Sequence, residues 1–177
     1  KLTRYDIEVL ENRFQVSFEQ VCHRLTTLQK PGSRAVPFHM MRVDIAGNIS
    51  KRFSASGIAI SRYSGACPRL NIYSAFTTPD RIKVQISMMP DGNKYFCIAR
   101  AFQKRSGGFD SPESFYSIGL GCSLENAKEM IYADNSVLDS SENVVPVGVS
   151  CRSCPRIDCR QRAFPPSNRQ LIYDENV

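Results

Sequence analysis

The sequence predicts a domain of the α+β class. Two helical segments come first, strands with alternating apolar residues follow as hairpins, and the end of the chain is irregular and rich in cysteine and arginine. At 177 residues the chain is long enough to bury one substantial core, so we expect a single domain.

Two short helices are predicted at the start of the chain. In "LTRYDIEVLENRF" Thr3 is a candidate N-cap with Asp6 three residues later, and in "SFEQVCHRLTTLQ" Ser17 and Gln20 have the spacing of a capping box. Apolar residues recur with helical spacing after each cap. We therefore assign residues 1–30 to a helical pair that joins an upstream region, and residues 31–177 to the main domain.

The hydrophobic period changes from helical to two at the segment "VPFHMMRVDIAGNISKRFS". Alternation places Met41 and Val43 on one face of a strand and Phe38, Met40 and Arg42 on the other. The Gly-Asn pair at 47–48 is typical of a hairpin turn. The segment therefore predicts a hairpin with one face that carries polar side chains.

A second hairpin is predicted where "RIKVQISM" and "KYFCIARAF" flank the turn "PDGN". On the returning strand Arg100 shares a face with the apolar residues Ile98 and Phe102. The segment "FYSIGL" predicts another strand, and "SLENAKEMIY" predicts a late helix capped by Ser123 with Leu124, Ala127 and Ile131 facing inward.

These elements give an antiparallel sheet of hairpins with two helices before it, a late helix after it, and an irregular cysteine-rich segment at residues 151–166. Sensor domains of the PAS and GAF kind have this architecture. The analogy predicts a fold and does not by itself supply a ligand.

Composition narrows the class of function. Lys plus Arg exceeds Asp plus Glu by six, 23 against 17, which favours an anionic partner. The sequence lacks an apolar run long enough for a membrane span and has no export signal, so we expect a soluble, cytoplasmic fragment. It also lacks the G-x-S-x-G, P-loop, GxGxxG and HExxH motifs, so we do not expect an enzyme.

Three of the seven cysteines lie close together, as Cys151-x2-Cys154-x4-Cys159. Thiolates this close repel one another unless a cation or cluster absorbs their charge. Uneven spacing favours an iron–sulfur cluster, because tetrahedral zinc usually has two paired knuckles. Zinc, free thiols and a redox disulfide remain open alternatives.

A fourth ligand must come from elsewhere in the chain. Cys122 is the preferred candidate, because it precedes a predicted helix N-terminus that favours an anionic sulfur. Cys67, in "ACPRLN", is the alternative ligand. Cys22 and Cys97 lie in predicted helix and strand faces and are interpreted as core thiols.

Several phrases of the sequence occur together, in the same order, in a bacterial family. They are "VCHRLTTLQKPG", "VPFHMMRVDIAGNISKRFSA", "GACPRLN", "MPDGNKYFCIARAF", "IGLGCSLENAKEMIYAD" and "VPVGVSCRSCPRIDCRQRAFPP". From about Phe14 to Pro166 the chain resembles the C-terminal domain of the short-chain fatty acyl-CoA transcriptional regulators, which include regulators of propionate and glyoxylate metabolism.

The resemblance implies that residues 31–177 are a sensing domain for short-chain acyl-CoA. It further implies a four-iron, four-sulfur cluster, and DNA binding through an upstream helix-turn-helix that this sequence does not contain; oligomerisation is left open. Coenzyme A phosphates require cations and its acyl end requires an apolar slot. The candidate ligand-binding residues are Arg24, Phe38, Arg42, Lys51, Arg52, Arg100 and Arg162.

A different reading of the basic segment "CRSCPRIDCRQR" is a zinc-stabilised module that binds nucleic acid. Steep salt dependence of DNA binding would distinguish such a module from an acyl-CoA sensor.

Overall fold

The computed structural model describes residues 3–28, 35–62, 65–104, 110, 113–133 and 143–167. Its elements, in chain order, are helices α1 (Ile7–Phe14) and α2 (Phe18–Thr26), strands β1 (His39–Asp44) and β2 (Ile49–Ser54), helix α3 (Asn71–Ser74), a 3₁₀ helix (Ala75–Thr77), strands β3 (Lys83–Met88), β4 (Lys94–Lys104) and β5 (Ser114–Ser123), the late 3₁₀ helix (Leu124–Glu129) and strand β6 (Val144–Pro146).

Both predicted N-terminal helices are present, and their caps explain where they begin. Ser17 and Gln20 form the predicted capping box of α2. The predicted cap of α1 was wrong: Asp6, not Thr3, is the N-cap, because its side chain accepts the N–H of Val9.

The strands form one sheet in the order β2-β1-β5-β4-β3-β6. Neighbouring strands are antiparallel, except that β6 pairs in parallel with β3. Gly47 has a φ of +87° in the turn between β1 and β2, a conformation that favours glycine. The α+β class and both hairpins are therefore confirmed, with a mixed sheet in place of a purely antiparallel one.

Strand alternation divides the buried residues between the two faces of the sheet. We call the face covered by α1, α2 and the late 3₁₀ helix the helix face; Phe96 and Ile98 of β4 lie on it. We call the other the loop face; Cys97 and Ala99 lie on it, against α3 and residues of the segments 58–60, 66–70 and 147–149. The helical pair and the sheet thus share one core.

The late helix is 3₁₀ rather than α, and this changes which residues point inward. A 3₁₀ helix repeats every three residues, so Leu124, Ala127 and Met130 share the inward side. Ile131, which an α-helical period placed inward, is 39% exposed. Among the described residues, no helix is long and apolar enough to cross a membrane.

Candidate functional site

Four cysteines from two distant segments line one small pocket on the loop face, which we call the cysteine pocket. Cys67 lies just before α3. Cys151, Cys154 and Cys159 lie on the irregular segment 151–163, which we call the cysteine loop. All seven cysteines of the chain are free thiols.

Backbone N–H groups donate to the sulfurs of this pocket. The N–H of Ala163 lies 3.3 Å from the Cys151 Sγ. Burial raises the pKa of the Cys67 thiol; the N–H groups of Arg69 and Gly148 lower it, while Cys151 and Cys154 raise it further. Repulsion between neighbouring sulfurs is the effect that a bound cation relieves, and N–H donors to sulfur stabilise metal-bound thiolates.

Gly148 forms the wall of the pocket opposite the cysteine loop. A Cβ atom at this position would lie 2.8 Å from the Cys154 Sγ, closer than real Cβ contacts. Only glycine therefore lets the backbone approach this sulfur without displacing it.

Two of the predicted basic residues hold the cysteine loop in place. The Arg162 guanidinium donates to the carbonyl oxygens of Cys151 at 2.7 Å and of Cys154 at 3.4 Å. Arg156 donates to the carbonyl oxygens of Val147 at 3.2 Å and Met88 at 3.1 Å. Arg162, predicted to bind an anionic ligand, is thus used to support the loop.

The four thiols suit a soft metal, and the pocket between them is small. Soft thiolate ligands select zinc or iron–sulfur clusters. The cavity is about 10 Å³, and in the parts of the chain that the structure describes no three Cys, His, Asp or Glu side chains lie close enough to hold a metal ion. A metal ion therefore requires the sulfurs to turn inward, and a four-iron cluster requires the loop to move away from Cys67.

The preferred fourth ligand, Cys122, is not brought to this pocket. It is fully buried on the helix face, where its Sγ lies 3.9 Å from the Met130 Sδ and burial raises its pKa to about 12. Strand alternation on β5 directs it to the opposite side of the sheet from the cysteine loop. Cys67, the alternative, is the cysteine that the fold places with the other three. Cys22 and Cys97 are buried core thiols.

The predicted ligand-binding residues on the helix face contact the N-terminal helices instead. Phe38 is fully buried and packs edge-to-face on Tyr5, with ring centroids 5.1 Å apart. The Arg42 guanidinium lies 2.9 Å and the Lys51 ammonium 2.6 Å from the same carboxylate oxygen of Glu19 in α2. These side chains connect the sheet to the N-terminal helices.

Arg100 has two carboxylate partners. Its guanidinium lies 2.8 Å from Glu11 of α1 and 3.7 Å from Asp80. Asp44 is not one of these partners, because it accepts hydrogen bonds from Asn48 within the β1–β2 turn. A largely buried guanidinium needs a carboxylate partner, and Glu11 of α1 supplies it. The sequence alone did not predict that α1 packs against Arg100.

The two remaining candidates differ in position. Arg24 is exposed in the last turn of α2. Arg52 lies on β2 with its side chain toward the loop face, and donates to the carbonyl oxygen of Ser61 at 2.8 Å. None of the seven candidates lines the second pocket described next, but Arg52 contacts it through the carbonyl oxygen of its lining residue Ser61.

An apolar cavity of about 40 Å³, which the sequence did not reveal, lies on the loop face beside the cysteine pocket. Its lining residues are His39, Met41, Ile58, Ala59, Ile60, Ser61, Ala66, Leu70, Asn71, Ile72, Met89, Cys97, Gly119, Leu120, Gly148 and Val149. The glycines of a central strand were the sequence signal from which this cavity could have been found. Glycine inside a strand indicates that another group approaches the sheet closely or that a pocket lies above it.

His39 is the titratable base of this cavity. Burial lowers the pKa of its imidazole to about 3, so the ring is neutral at physiological pH. Its ring nitrogens lie 2.8 Å from the Ser56 Oγ and 3.6 Å from the Cys97 Sγ. A Cβ on Gly121 would lie 2.5 Å from its Nε2, so this glycine makes room for the ring.

Comparison with known proteins gives consistent matches over this fold. Residues 27–177 match the family described as short-chain fatty acyl coenzyme A regulator, C-terminal. The chain is 45% identical over 174 residues to the HTH-type transcriptional regulator PrpR of Mycobacterium tuberculosis, covering 98% of the chain and 36% of PrpR. It is 46% identical over 172 residues to the propionyl-CoA carboxylase regulator of Cereibacter sphaeroides, covering 97% of the chain and 37% of that regulator.

A solved structure, titled Mycobacterium tuberculosis transcriptional regulator, superimposes with a TM-score of 0.91 at 44% identity. The match covers 99% of the chain and 54% of the solved chain. The chain spans about a third of the length of the curated relatives it matches.

Proposed function

The chain belongs to the short-chain fatty acyl coenzyme A regulators, as their C-terminal domain, and we propose that it senses short-chain acyl-CoA for a DNA-binding transcriptional regulator. PrpR is named as a transcriptional regulator and the Cereibacter relative as a regulator of propionyl-CoA carboxylase, and both names support a regulatory rather than an enzymatic role. In this proposal DNA is bound by a helix-turn-helix outside the 177 residues.

We further propose that Cys67, Cys151, Cys154 and Cys159 hold a metal centre, an iron–sulfur cluster in preference to zinc. The single observation that supports it is that four thiols from opposite halves of the chain line one pocket. Burial raises the pKa of the Cys67 thiol, but the N–H groups of Arg69 and Gly148 lower it, and the Ala163 N–H donates to the Cys151 Sγ, as N–H groups do at cluster sulfurs. When bound, the cluster would supply one-electron redox chemistry or a structural brace.

The chain's own residues would determine how such a centre affects the domain. Arg162 holds the carbonyl groups of Cys151 and Cys154 within the cysteine loop, and Arg156 connects that loop to Val147 and to Met88 at the end of β3. A change in loop position would therefore be transmitted to β3. An acyl-CoA that binds one loop position better than another would then shift the equilibrium between them.

Metal content tests the proposed centre directly. The chain is purified anaerobically and assayed for iron, acid-labile sulfide and zinc, together with its visible spectrum. We expect about four irons and four sulfides per chain and broad absorption near about 400 nm that dithionite bleaches. A colourless protein with one zinc per chain would replace the cluster by the zinc alternative.

Calorimetry tests the sensing role. Titration with propionyl-CoA is expected to show saturable binding, while coenzyme A without an acyl group binds more weakly. No heat and no thermal stabilisation at millimolar propionyl-CoA, for folded protein with its metal, would contradict the proposal. DNA binding by the same chain with a steep salt dependence would favour the nucleic-acid module instead.

A further inference from the structure

We propose that the apolar cavity on the loop face is the slot that receives the aliphatic end of a short acyl chain. This inference rests on the proposed sensing of acyl-CoA and adds to it the location of the acyl-binding site. Four properties of the cavity support this assignment: the chemistry of its walls, its size, its entrance and the pocket beside it.

The walls favour an uncharged, aliphatic occupant. The polar groups at the edge of the cavity are already bonded to protein, since Asn71 donates to the carbonyl oxygens of Lys83 and Cys97, both at 3.0 Å. His39 is neutral and lies beside Ser56. The remaining lining is largely aliphatic, so a carboxylate would find no cation here and an alkyl group would lose no hydrogen bond.

The size of the cavity limits the chain length. About 40 Å³ corresponds to roughly three water-sized groups, which suits an alkyl chain of about two to three carbons. Gly119 forms part of the wall, and a Cβ there would already lie 3.3 Å from the Ile72 Cδ1. A longer chain therefore requires a wall residue to move.

The entrance places a cation beside the opening. Ala59 lines the cavity and is exposed, so the cavity opens to solvent there. Ser61, a buried lining residue two positions further along the chain, accepts a hydrogen bond from Arg52 through its carbonyl oxygen. A thioester whose alkyl end lies in the cavity would therefore leave it beside a guanidinium, which suits the anionic remainder of an acyl-CoA.

The neighbour of the cavity is the cysteine pocket, and Gly148 lines both. The cavity also borders Ala66 and Leu70, which flank Cys67 and the start of α3. Because the two pockets share this wall, an occupant in either one changes the position of the wall for the other. We therefore expect acyl binding and metal binding to be energetically coupled.

The five methionines provide a direct readout. Met41 and Met89 line the cavity, whereas Met40 and Met130 are buried on the helix face. The 177-residue chain is labelled with [methyl-¹³C]methionine and titrated with methyl propanoate, and separately with propionyl-CoA. Both probes are expected to shift the methyl signals of Met41 and Met89 and to leave those of Met40 and Met130 unchanged.

Two substitutions test the same site from opposite directions. Ala66→Leu adds bulk to the cavity wall and is expected to weaken binding of both probes at least tenfold, whereas Ala46→Leu adds the same atoms to an exposed turn and should not. Leu70→Ala enlarges the cavity and is expected to favour pentanoyl-CoA over propionyl-CoA by about tenfold relative to the parent chain. If Ala66→Leu does not fold, as the Met40 and Met130 signals would show, the Leu70→Ala result decides.

The outcomes separate this inference from the proposed function. Binding of propionyl-CoA with no change at Met41 and Met89 would overturn the acyl slot and leave acyl-CoA sensing intact. Shifts at Met41 and Met89 with methyl propanoate but no binding of any acyl-CoA would keep an apolar binding site and overturn the sensing role. Shifts spread equally over all five methionines would contradict a specific site.

Discussion

The two faces of the sheet are built from the same strands but differ in the side chains that they carry and in what those side chains contact. On the helix face, large apolar side chains and Glu11 and Glu19 join α1 and α2 to the sheet, so that its cations already have carboxylate partners. On the loop face, glycines and small residues leave two pockets, one lined by thiols and one by aliphatic groups. The helix face therefore serves stability, and the loop face retains the chemistry that can respond to a ligand.

Removing a large side chain from the helix face should produce the largest loss of stability. Phe96 is fully buried among the residues that contact α1 and α2. We expect Phe96→Ala to lower the free energy of unfolding by about 3–5 kcal/mol, measured by urea denaturation. Phe164, which directly follows the cysteine loop, is 49% exposed, and Phe164→Ala should cost no more than about 1 kcal/mol.

Equal destabilisation by Phe96→Ala and Phe164→Ala would contradict the assignment of most of the folding stability to the helix face. Metal content of the Phe96→Ala chain, measured below its unfolding transition, should match that of the parent. A parallel loss of metal would mean that the loop face does not hold its site independently of the helix face.

On the loop face, His39 should make stability depend on pH. Its pKa is about 3 in the folded chain against an ordinary value of 6.5. Between these values the unfolded chain binds the proton and the folded chain does not, so this stabilisation is present above pH 6.5 and is lost as the pH falls. We expect a loss of about 1 kcal/mol per pH unit below about pH 6.

Urea denaturation from pH 7 to pH 4 measures this slope. His39→Gln should flatten it, whereas His23→Gln, which replaces an exposed histidine of α2, should leave it unchanged. An identical slope in both variants would mean that His39 is not buried in the neutral form.

On the helix face, the pH effect comes from Glu19 and is smaller. Burial alone would raise its pKa, but Lys51 and Arg42 outweigh burial and hold the pKa below the ordinary value of 4.5. A lowered carboxyl pKa contributes stability above pH 4.5 that is lost as the pH falls through the folded-state pKa. Glu19→Gln should therefore cost about 1 kcal/mol at pH 7 and less at pH 3.

Glu129→Gln is the matched control for that measurement, because Glu129 is exposed on the late 3₁₀ helix. Equal effects of the two substitutions at pH 7 would show that the Glu19 cluster adds nothing beyond an exposed charge.

Local pattern was sufficient to predict much of the fold. The capping box at Ser17 and the alternation of Met41 with Met40 follow from neighbouring residues in the sequence, and both are confirmed. Helix α3 and strand β6 were missed because four and three residues are too short to show a period. The late helix was identified, but its 3₁₀ period could not be read from composition.

The site was harder to predict because it depends on which face each residue occupies. The choice of Cys122 over Cys67 relied on a nearby helix start, whereas strand alternation on β5 directs Cys122 away from the cysteine loop. Likewise Arg42, Lys51 and Arg100 carried the right charge for a ligand, but Glu11 and Glu19 had no predicted position in space. Residues 105–109, 111–112, 134–142 and 168–177 lie outside the described residues.

A pair of serine substitutions tests the proposed metal centre most directly. Cys67→Ser and Cys122→Ser are each purified anaerobically and assayed for bound metal and for the visible spectrum. We predict that Cys67→Ser loses most of its metal while Cys122→Ser retains that of the parent chain. Loss of metal in Cys122→Ser with full retention in Cys67→Ser would contradict the assignment of the centre to the loop face.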